Sequence, residues 1–233
     1  MTITLPVESP LALEIVSDTI CPWCFVGKRH LEAALSVLAA EDLTFEVTWR
    51  PFQLNPDMPA GGVERRIYRT AKFGSWERSL ALDAQLVDVG RRAGLAFRYD
   101  LMQRTPNTVA SHVLVAFAHE AGGAVMQDRV VEALFAAYFT QGADVGDHGV
   151  LAGVAAACGL DRARVDAVLA DPERAAAIER EEGELRRRDF GGVPSFVLGG
   201  YFLFSGAQPT EAMVKTLRGA AVQVRAMQRQ AAG

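Results

Sequence analysis

The hydrophobic positions at the start of the chain change from a strand pattern to a helical pattern and back. Residues 11–17 form a short apolar run, typical of a buried strand. Asp18 and Thr19 follow with N-cap chemistry, and the apolar positions of residues 24–40 recur at helical spacing. Residues 43–49 alternate between apolar and polar side chains, which predicts a second strand. The chain therefore opens as strand, helix, strand, with a cysteine pair where the first strand passes into the helix.

The middle of the chain carries almost only helical patterns, from about residue 62 to residue 189. Several of its segments begin with a capping residue, and one begins with proline just inside the predicted helix. Helices are predicted over residues 75–92, 107–120, 124–139, 147–158 and 161–169, and from residue 171 onward.

Strand signals return after Gly191 and Gly192. Apolar runs over residues 193–198 and 201–204 flank a Gly-Gly turn, which indicates a β-hairpin. A terminal helix is predicted from Pro209 to about residue 228.

The outline is β-α-β, a helical insertion, then β-β-α. We predict an α/β thioredoxin fold made of residues 1–60 and 190–233, with residues 61–189 as an all-helical insertion domain.

Composition narrows the classes of function. Half of the 233 residues are hydrophobic and the net charge is −4, with no isolated basic run, so we expect neither a nucleic acid nor an anionic membrane as partner. No uninterrupted apolar stretch approaches about 18 residues, so no membrane span is expected. Residues 1–20 lack the pattern of a secretory signal, and the cytoplasm is the expected compartment.

The chain has three cysteines, too few and odd in number for a secreted disulfide framework. Cys21 and Cys24 stand two residues apart, a spacing that indicates redox chemistry or metal binding. A structural zinc site needs about four ligands, and only Cys158 and four scattered histidines remain. His112 and His119 are seven residues apart along one predicted helix, where packing or solvent exposure explains them as well. Redox chemistry is the interpretation we carry forward.

The position of the pair explains how it could work. At a helix N-terminus, unpaired backbone N–H groups and the positive end of the helix dipole favour the thiolate of Cys21. We predict that Cys21 is the exposed nucleophile and that Cys24, one turn further on, resolves the mixed disulfide. Pro22 and Trp23 lie between them, and we expect them to tune the couple and to contact the substrate.

Other residues have two interpretations each. Glu14 is a candidate proton relay for Cys24 if it is buried, or an exposed position of the first strand. Cys158 is either a small buried hydrophobe or a redox partner. Lys28 and Arg29 could steer an anionic thiol such as glutathione, or simply face solvent.

Several motifs together resemble a known family. The segment Asp-Thr-Ile-Cys-Pro-Trp-Cys-Phe-Val-Gly-Lys at residues 18–28 is similar to the active-site segment of DsbA-like thiol oxidoreductases, in the FrnE-like branch. Further similar stretches lie at residues 49–56, 106–108 with His112, 192–196 and 205–208, so the resemblance covers nearly the whole chain.

The resemblance implies a cis peptide bond between Val193 and Pro194, facing the cysteine pair, with the Val193 backbone pairing with a bound substrate strand. Ser195 stands where the family usually has an aromatic residue, which implies an altered substrate groove. Asn107 and His112 match a family motif, and capping with packing is the simplest role for them.

The implied activity is thiol–disulfide exchange with a protein or small-molecule substrate. The cysteine pair is itself the redox group, so no metal or nucleotide is required, and glutathione or a thioredoxin-type system would reset it. Two alternatives stay open. One is a glutathione-dependent transferase or isomerase, as in kappa-class transferases and 2-hydroxychromene-2-carboxylate isomerases, which typically have serine at the first position of the motif. The other is a chaperone-like binding module. The substrate, the direction of electron flow and a homodimer are also left open.

Overall fold

The computed structural model describes residues 9–188 and 190–231, and within them the chain forms six strands and eight helices. The strands are β1 Leu11–Ser17, β2 Phe45–Pro51, β3 Val63–Glu64, β4 Arg104–Thr105, β5 Ser195–Leu198 and β6 Tyr201–Ser205. The helices are α1 Pro22–Ala39, α2 Arg65–Phe73, α3 Trp76–Arg92, α4 Val109–Gln141, α5 His148–Ala157, α6 Arg162–Ala170, α7 Pro172–Arg186 and α8 Thr210–Ala231.

A four-stranded sheet in the order β2-β1-β5-β6 forms the centre of the fold. β1 pairs parallel with β2 and antiparallel with β5, and β5 pairs antiparallel with β6. Leu13 and Ile15 of β1 are fully buried, as expected for an inner strand covered on its faces. The predicted order β-α-β, helices, β-β-α is confirmed, and with it the thioredoxin fold carrying a large helical region.

The helical region differs from the prediction in two places. The strands β3 and β4 pair in a small antiparallel ladder, with Val63 opposite Thr105, and their two-residue length gave no period to detect. The predicted helices over residues 107–120 and 124–139 are two halves of α4, separated by non-helical backbone at Gly122 and Gly123. The division into two domains stays a prediction, and its second boundary falls on residue 189, which lies outside the described residues. Residues 1–8, which belong to the expectation about a secretory signal, also lie outside them.

α4 connects the helical region to the sheet. Among the described residues it is the one helix long and apolar enough to cross a membrane by length and composition. In the structure its apolar side chains instead build the protein core, where Phe135 stacks on Phe25 of α1 at a centroid distance of 5.0 Å. The Gln127 side chain accepts from the Trp49 backbone N–H and donates to the Trp49 carbonyl oxygen, at 2.9 and 3.0 Å. These contacts hold α4 beside β2.

Gly142 ends α4 in the left-handed conformation, with φ of 70°. A Cβ atom there would lie 2.5 Å from the Leu101 Cβ and 2.6 Å from the Leu101 carbonyl carbon. We expect Gly142→Ala to lower the free energy of unfolding by about 2–3 kcal/mol, because it adds backbone strain to a steric clash. Urea denaturation measures this difference. Gly153→Ala is the matched control, since an added Cβ in the middle of α5 meets nothing within 4 Å and should stabilise by about 0.5–1 kcal/mol. Equal unfolding free energies for the two variants would contradict this account.

Candidate active site

The turn between β1 and α1 places the cysteine pair. Cys21 is the N-cap residue of α1, with extended backbone (φ −88°, ψ 113°), and Pro22 is the first helical residue. The prediction that Asp18 or Thr19 caps the helix is wrong, because no side chain caps it. The Thr19 hydroxyl instead lies 2.7 Å from the Ser111 hydroxyl of α4, and this contact ties the turn to the helical region.

Both cysteines are free thiols and both are buried. Cys21 is only 3% exposed, which corrects the prediction of an exposed nucleophile: it is reached through a cavity whose wall it forms. Cys24 is fully buried. Burial, followed by its hydrogen bond with Cys21, raises the pKa of the Cys24 thiol well above that of an exposed cysteine, and hydrogen bonds from Ser17 and the Asp18 backbone only partly offset this. Cys24 is therefore protonated at neutral pH.

The loop before β5 lies against the cysteine pair. The Val193–Pro194 peptide bond is cis, and the Cys21 Sγ lies 3.7 Å from the Val193 carbonyl oxygen. Gly27 lets α1 approach this loop, since a Cβ there would lie 3.1 Å from the Pro194 Cγ. Ser195 is fully buried and donates to the Gly192 carbonyl oxygen at 2.6 Å. The expectation that a serine at this position alters the substrate groove stays a prediction.

A buried polar pair below the turn was missed by the sequence interpretation. The Asp18 carboxylate has no exposure and accepts from the Leu54 backbone N–H at 2.7 Å and the Ile20 backbone N–H at 3.4 Å. His112, 4% exposed, places its Nε2 3.6 Å from this carboxylate and 3.1 Å from the Phe52 carbonyl oxygen. The sequence contains one signal that could have indicated this pair: an acidic residue, Asp18, stands at the end of an apolar run and three positions before Cys21. Asp18 is thus a positioning residue that fixes the turn carrying Cys21.

Asn107 has the capping role that the sequence interpretation considered. Its side-chain oxygen accepts from the Val109 backbone N–H at 2.9 Å, at the start of α4. Its side-chain nitrogen donates to the Met58 carbonyl oxygen at 2.8 Å.

The structure does not bring Glu14 to the cysteine pair. Its carboxylate lies 2.5 Å from the Arg50 guanidinium, and Arg50 also binds Glu181 at 2.5 Å. These three residues line a separate polar cavity of about 420 Å³ that includes His112 and His119. The side chain points to the face of the sheet opposite to Leu13 and Ile15, where it is paired with Arg50, and the predicted proton relay is therefore corrected.

Lys28 and Arg29 form ion pairs within the protein instead of facing solvent freely. The Lys28 ammonium is buried, 3.1 Å from Asp128 and 3.2 Å from Glu132 of α4. Arg29 also pairs with Glu132. Both residues hold α1 to α4.

Cys158 matches its interpretation as a small buried hydrophobe. It is 5% exposed, and burial raises the pKa of its thiol. Across residues 9–188 and 190–231, no three His, Cys, Asp or Glu side chains group in a way that could hold a metal ion.

A cavity of about 530 Å³ opens beside Cys21. Three of the residues expected to contact substrate line it, namely Pro22, Trp23 and Val193, whereas Pro194 packs against Gly27. Trp23 is 45% exposed and stands at the cavity together with Cys21. The remaining wall comes from the helical region, mainly from α2, α3 and α4. The arrangement gives a small molecule or an extended segment access to one sulfur atom, Cys21, while the second sulfur stays buried.

Comparison with known proteins agrees with this geometry. A family model of the DSBA-like thioredoxin domain matches residues 12–218. A crystal structure described as a probable DsbA oxidoreductase from Streptomyces coelicolor is 34% identical with a TM-score of 0.79, covering 90% of this chain and 89% of that one. The uncharacterized protein YwbO of Bacillus subtilis is 28% identical over 193 residues, 80% of this chain and 86% of its own length.

The fold also matches that of DsbM, a cytosolic disulfide reductase from Pseudomonas aeruginosa. That structure has 19% identity and a TM-score of 0.58, covering 94% of this chain and all of that one. A second structure of the same protein was determined with GSH.

Proposed function

Since this chain belongs to the DsbA-like thioredoxin-domain family, we propose that it is a thiol–disulfide oxidoreductase whose redox couple is Cys21 and Cys24. One observation carries the proposal. Cys21 stands at the N-terminus of α1 on the wall of a cavity, while its partner Cys24 is buried behind it as a thiol of raised pKa. A nucleophile that substrate reaches first, followed by a protected second thiol, is the arrangement that dithiol exchange needs.

The reaction balances without a further redox group. The Cys21 thiolate attacks one sulfur of a substrate disulfide, forms a mixed disulfide and releases the first substrate thiolate. Cys24 then loses its proton, attacks the Cys21 sulfur and releases the second thiolate. The protein ends with a Cys21–Cys24 disulfide, and the substrate has gained two electrons. The reverse sequence oxidises a substrate dithiol.

The residues around the couple hold the substrate in this proposal. Pro22 and Trp23 contact it beside the nucleophile, and the Val193 backbone at the cis Val193–Pro194 bond pairs with an extended segment. The carbonyl oxygen of Val193, 3.7 Å from the Cys21 sulfur, supports this assignment.

We place the reaction in the cytoplasm, with glutathione or a thioredoxin-type protein resetting the couple. The fold of a cytosolic disulfide reductase that was determined with GSH supports this placement. Cysteine at both motif positions weighs against the glutathione-dependent transferase or isomerase, since those enzymes typically have serine at the first position.

The redox equilibrium of the couple tests the proposal. We expect two thiols to disappear together and reversibly as the ratio of oxidised to reduced glutathione is raised, counted by alkylation with a mass tag. Cys158→Ala removes the third thiol from the count, and Cys24→Ser is the control that cannot close the pair. Capping of Cys21 by glutathione without pairing would overturn the dithiol mechanism in favour of the transferase or isomerase. Binding of unfolded proteins without any thiol dependence would favour the chaperone-like module.

A further inference from the structure

One wall of the cavity beside Cys21 carries a positive charge. Arg65, Arg69 and Lys72 of α2 all line it, and no acidic side chain among the described residues does. Asp83 of α3 binds two of the three cations, with its carboxylate oxygens 2.7 Å from Arg65 and 2.6 Å from Arg69. Three cations against one carboxylate leave an excess of two positive charges at this wall.

Lys72 carries one of these charges, and its hydrogen-bond acceptors are neutral groups. Its ammonium donates to the Asn55 side-chain oxygen at 3.0 Å and to the Tyr68 hydroxyl at 2.6 Å. No carboxylate of the described chain lies within ion-pair distance of it, whereas Arg65 and Arg69 both pair with Asp83. Lys72 is therefore available to pair with a negative charge on a bound molecule.

Tyr99 adds an unused hydrogen-bond donor to the same wall. Its hydroxyl is buried and has no hydrogen-bond partner among residues 9–188 and 190–231. Burial raises the pKa of Tyr99, so the hydroxyl keeps its proton at neutral pH. The Arg65 guanidinium lies 5.4 Å from the centre of the Tyr99 ring, which places the ring beside one of the cations. Buried hydroxyls without partners are uncommon, and a bound acceptor would satisfy this one.

A large part of the remaining cavity wall is apolar. Its side chains come from α2, α3, α4 and the segment between α3 and α4: Phe73, Leu82, Leu86, Val89, Met102 and Phe139. A volume of about 530 Å³ suits a small molecule, since such sites commonly have about 300–1,000 Å³.

From these observations we infer that the substrate is a small disulfide with an apolar body and a carboxylate. The apolar body fills the cavity, the carboxylate binds at Lys72, Arg69 and Tyr99, and one sulfur of the disulfide faces Cys21. The inference rests on the proposed function and names its substrate class. Electrons and atoms balance as in the exchange reaction, with both substrate thiolates leaving and the Cys21–Cys24 disulfide formed.

Rates of reduced protein with three disulfide probes test this substrate class. Dithiobis(nitrobenzoate) is aromatic and carries carboxylates, dithiodipyridine is aromatic and neutral, and oxidised glutathione carries carboxylates without an apolar body. The quantity compared between variants is the ratio of the rate with dithiobis(nitrobenzoate) to the rate with dithiodipyridine. Because each variant meets the same two probes, the intrinsic reactivities of the probes do not affect the comparison. We expect Lys72→Met to lower this ratio about tenfold, because the variant loses one charge-assisted contact with the probe's carboxylate. Lys215→Met is the matched control, because Lys215 is exposed on α8 and does not line the cavity.

Tyr99→Phe separates binding from structure, because it keeps the ring and removes only the unpartnered hydroxyl. A purely structural role predicts an unchanged ratio, whereas the inferred role predicts a ratio lowered about tenfold with the fold intact by circular dichroism. If wild-type protein reacts with all three probes and neither variant changes the ratio, the carboxylate site is wrong and the oxidoreductase proposal stands. If reduced wild-type protein reacts with no probe faster than a free thiol, the proposed function fails, and the inference with it.

Discussion

Replacing Cys21 with serine is expected to lower the rate of disulfide exchange by about a thousandfold or more. A serine hydroxyl is not ionised at neutral pH and cannot form the mixed disulfide through which exchange proceeds. Cys24 cannot take over, because it is fully buried and its pKa is raised by that burial. The measurement is the release of chromophoric thiolate from dithiobis(nitrobenzoate) by the reduced variant.

Cys24→Ser should behave differently from Cys21→Ser. It retains the attacking sulfur at the cavity, so it should release one substrate thiolate and stop as a mixed disulfide, visible as added mass on Cys21. Cys158→Ser is the matched control, since that thiol is also buried but lies at the end of α5 beside the Arg129 carbonyl oxygen, and it should exchange at the wild-type rate. A Cys21→Ser variant that still turned over would place the nucleophile elsewhere.

The elements that carry the cysteine pair were predictable because their signals are local. The apolar run of β1, proline at the first helical position and the helical spacing after Cys24 all lie within about 30 residues. Their order with the terminal hairpin was enough to predict the sheet and the placement of Cys21 at a helix N-terminus.

Glu14 shows where local pattern is insufficient. Its place between Leu13 and Ile15 predicts that it points away from them, but not what lies on that face of the sheet. β2 pairs with β1 so that Val16 stands opposite Arg50, and this register brings the guanidinium to the Glu14 carboxylate. The partner of a strand residue depends on strand pairing, which the sequence pattern does not contain.

The cavity wall was unpredictable for a similar reason. Lys72 and Tyr99 belong to elements that are separated from Cys21 by about 50 and about 80 residues, and only tertiary packing brings them to the cavity. The same holds for Asp18 and His112, whose contact joins the β1–α1 turn to α4. A buried acid could be suspected from its apolar neighbours, but its partner could not be named.

The second step of the reaction should accelerate about tenfold for each pH unit between about pH 6 and about pH 9. Burial raises the pKa of the Cys24 thiol, so throughout this range its thiolate fraction is small and grows in proportion to hydroxide. Burial is the largest of the effects on this thiol and does not depend on the state of Cys21. The step is measured by forming the mixed disulfide at low pH, raising the pH rapidly and following the release of the second thiolate.

The slope of that pH profile also decides whether a carboxylate takes the Cys24 proton. The groups with the largest effects on the pKa of the thiol are Cys21, the Ser17 side chain and the Asp18 backbone, and the Glu14 carboxylate is paired with Arg50 instead. The rate should therefore rise without a plateau, and Glu14→Gln should give the same slope as wild type. Ser17→Ala should slow the step at every pH, because the Ser17 hydrogen bond lowers the pKa of Cys24. A plateau near neutral pH that Glu14→Gln removes would restore Glu14 as the base, despite its ion pair with Arg50.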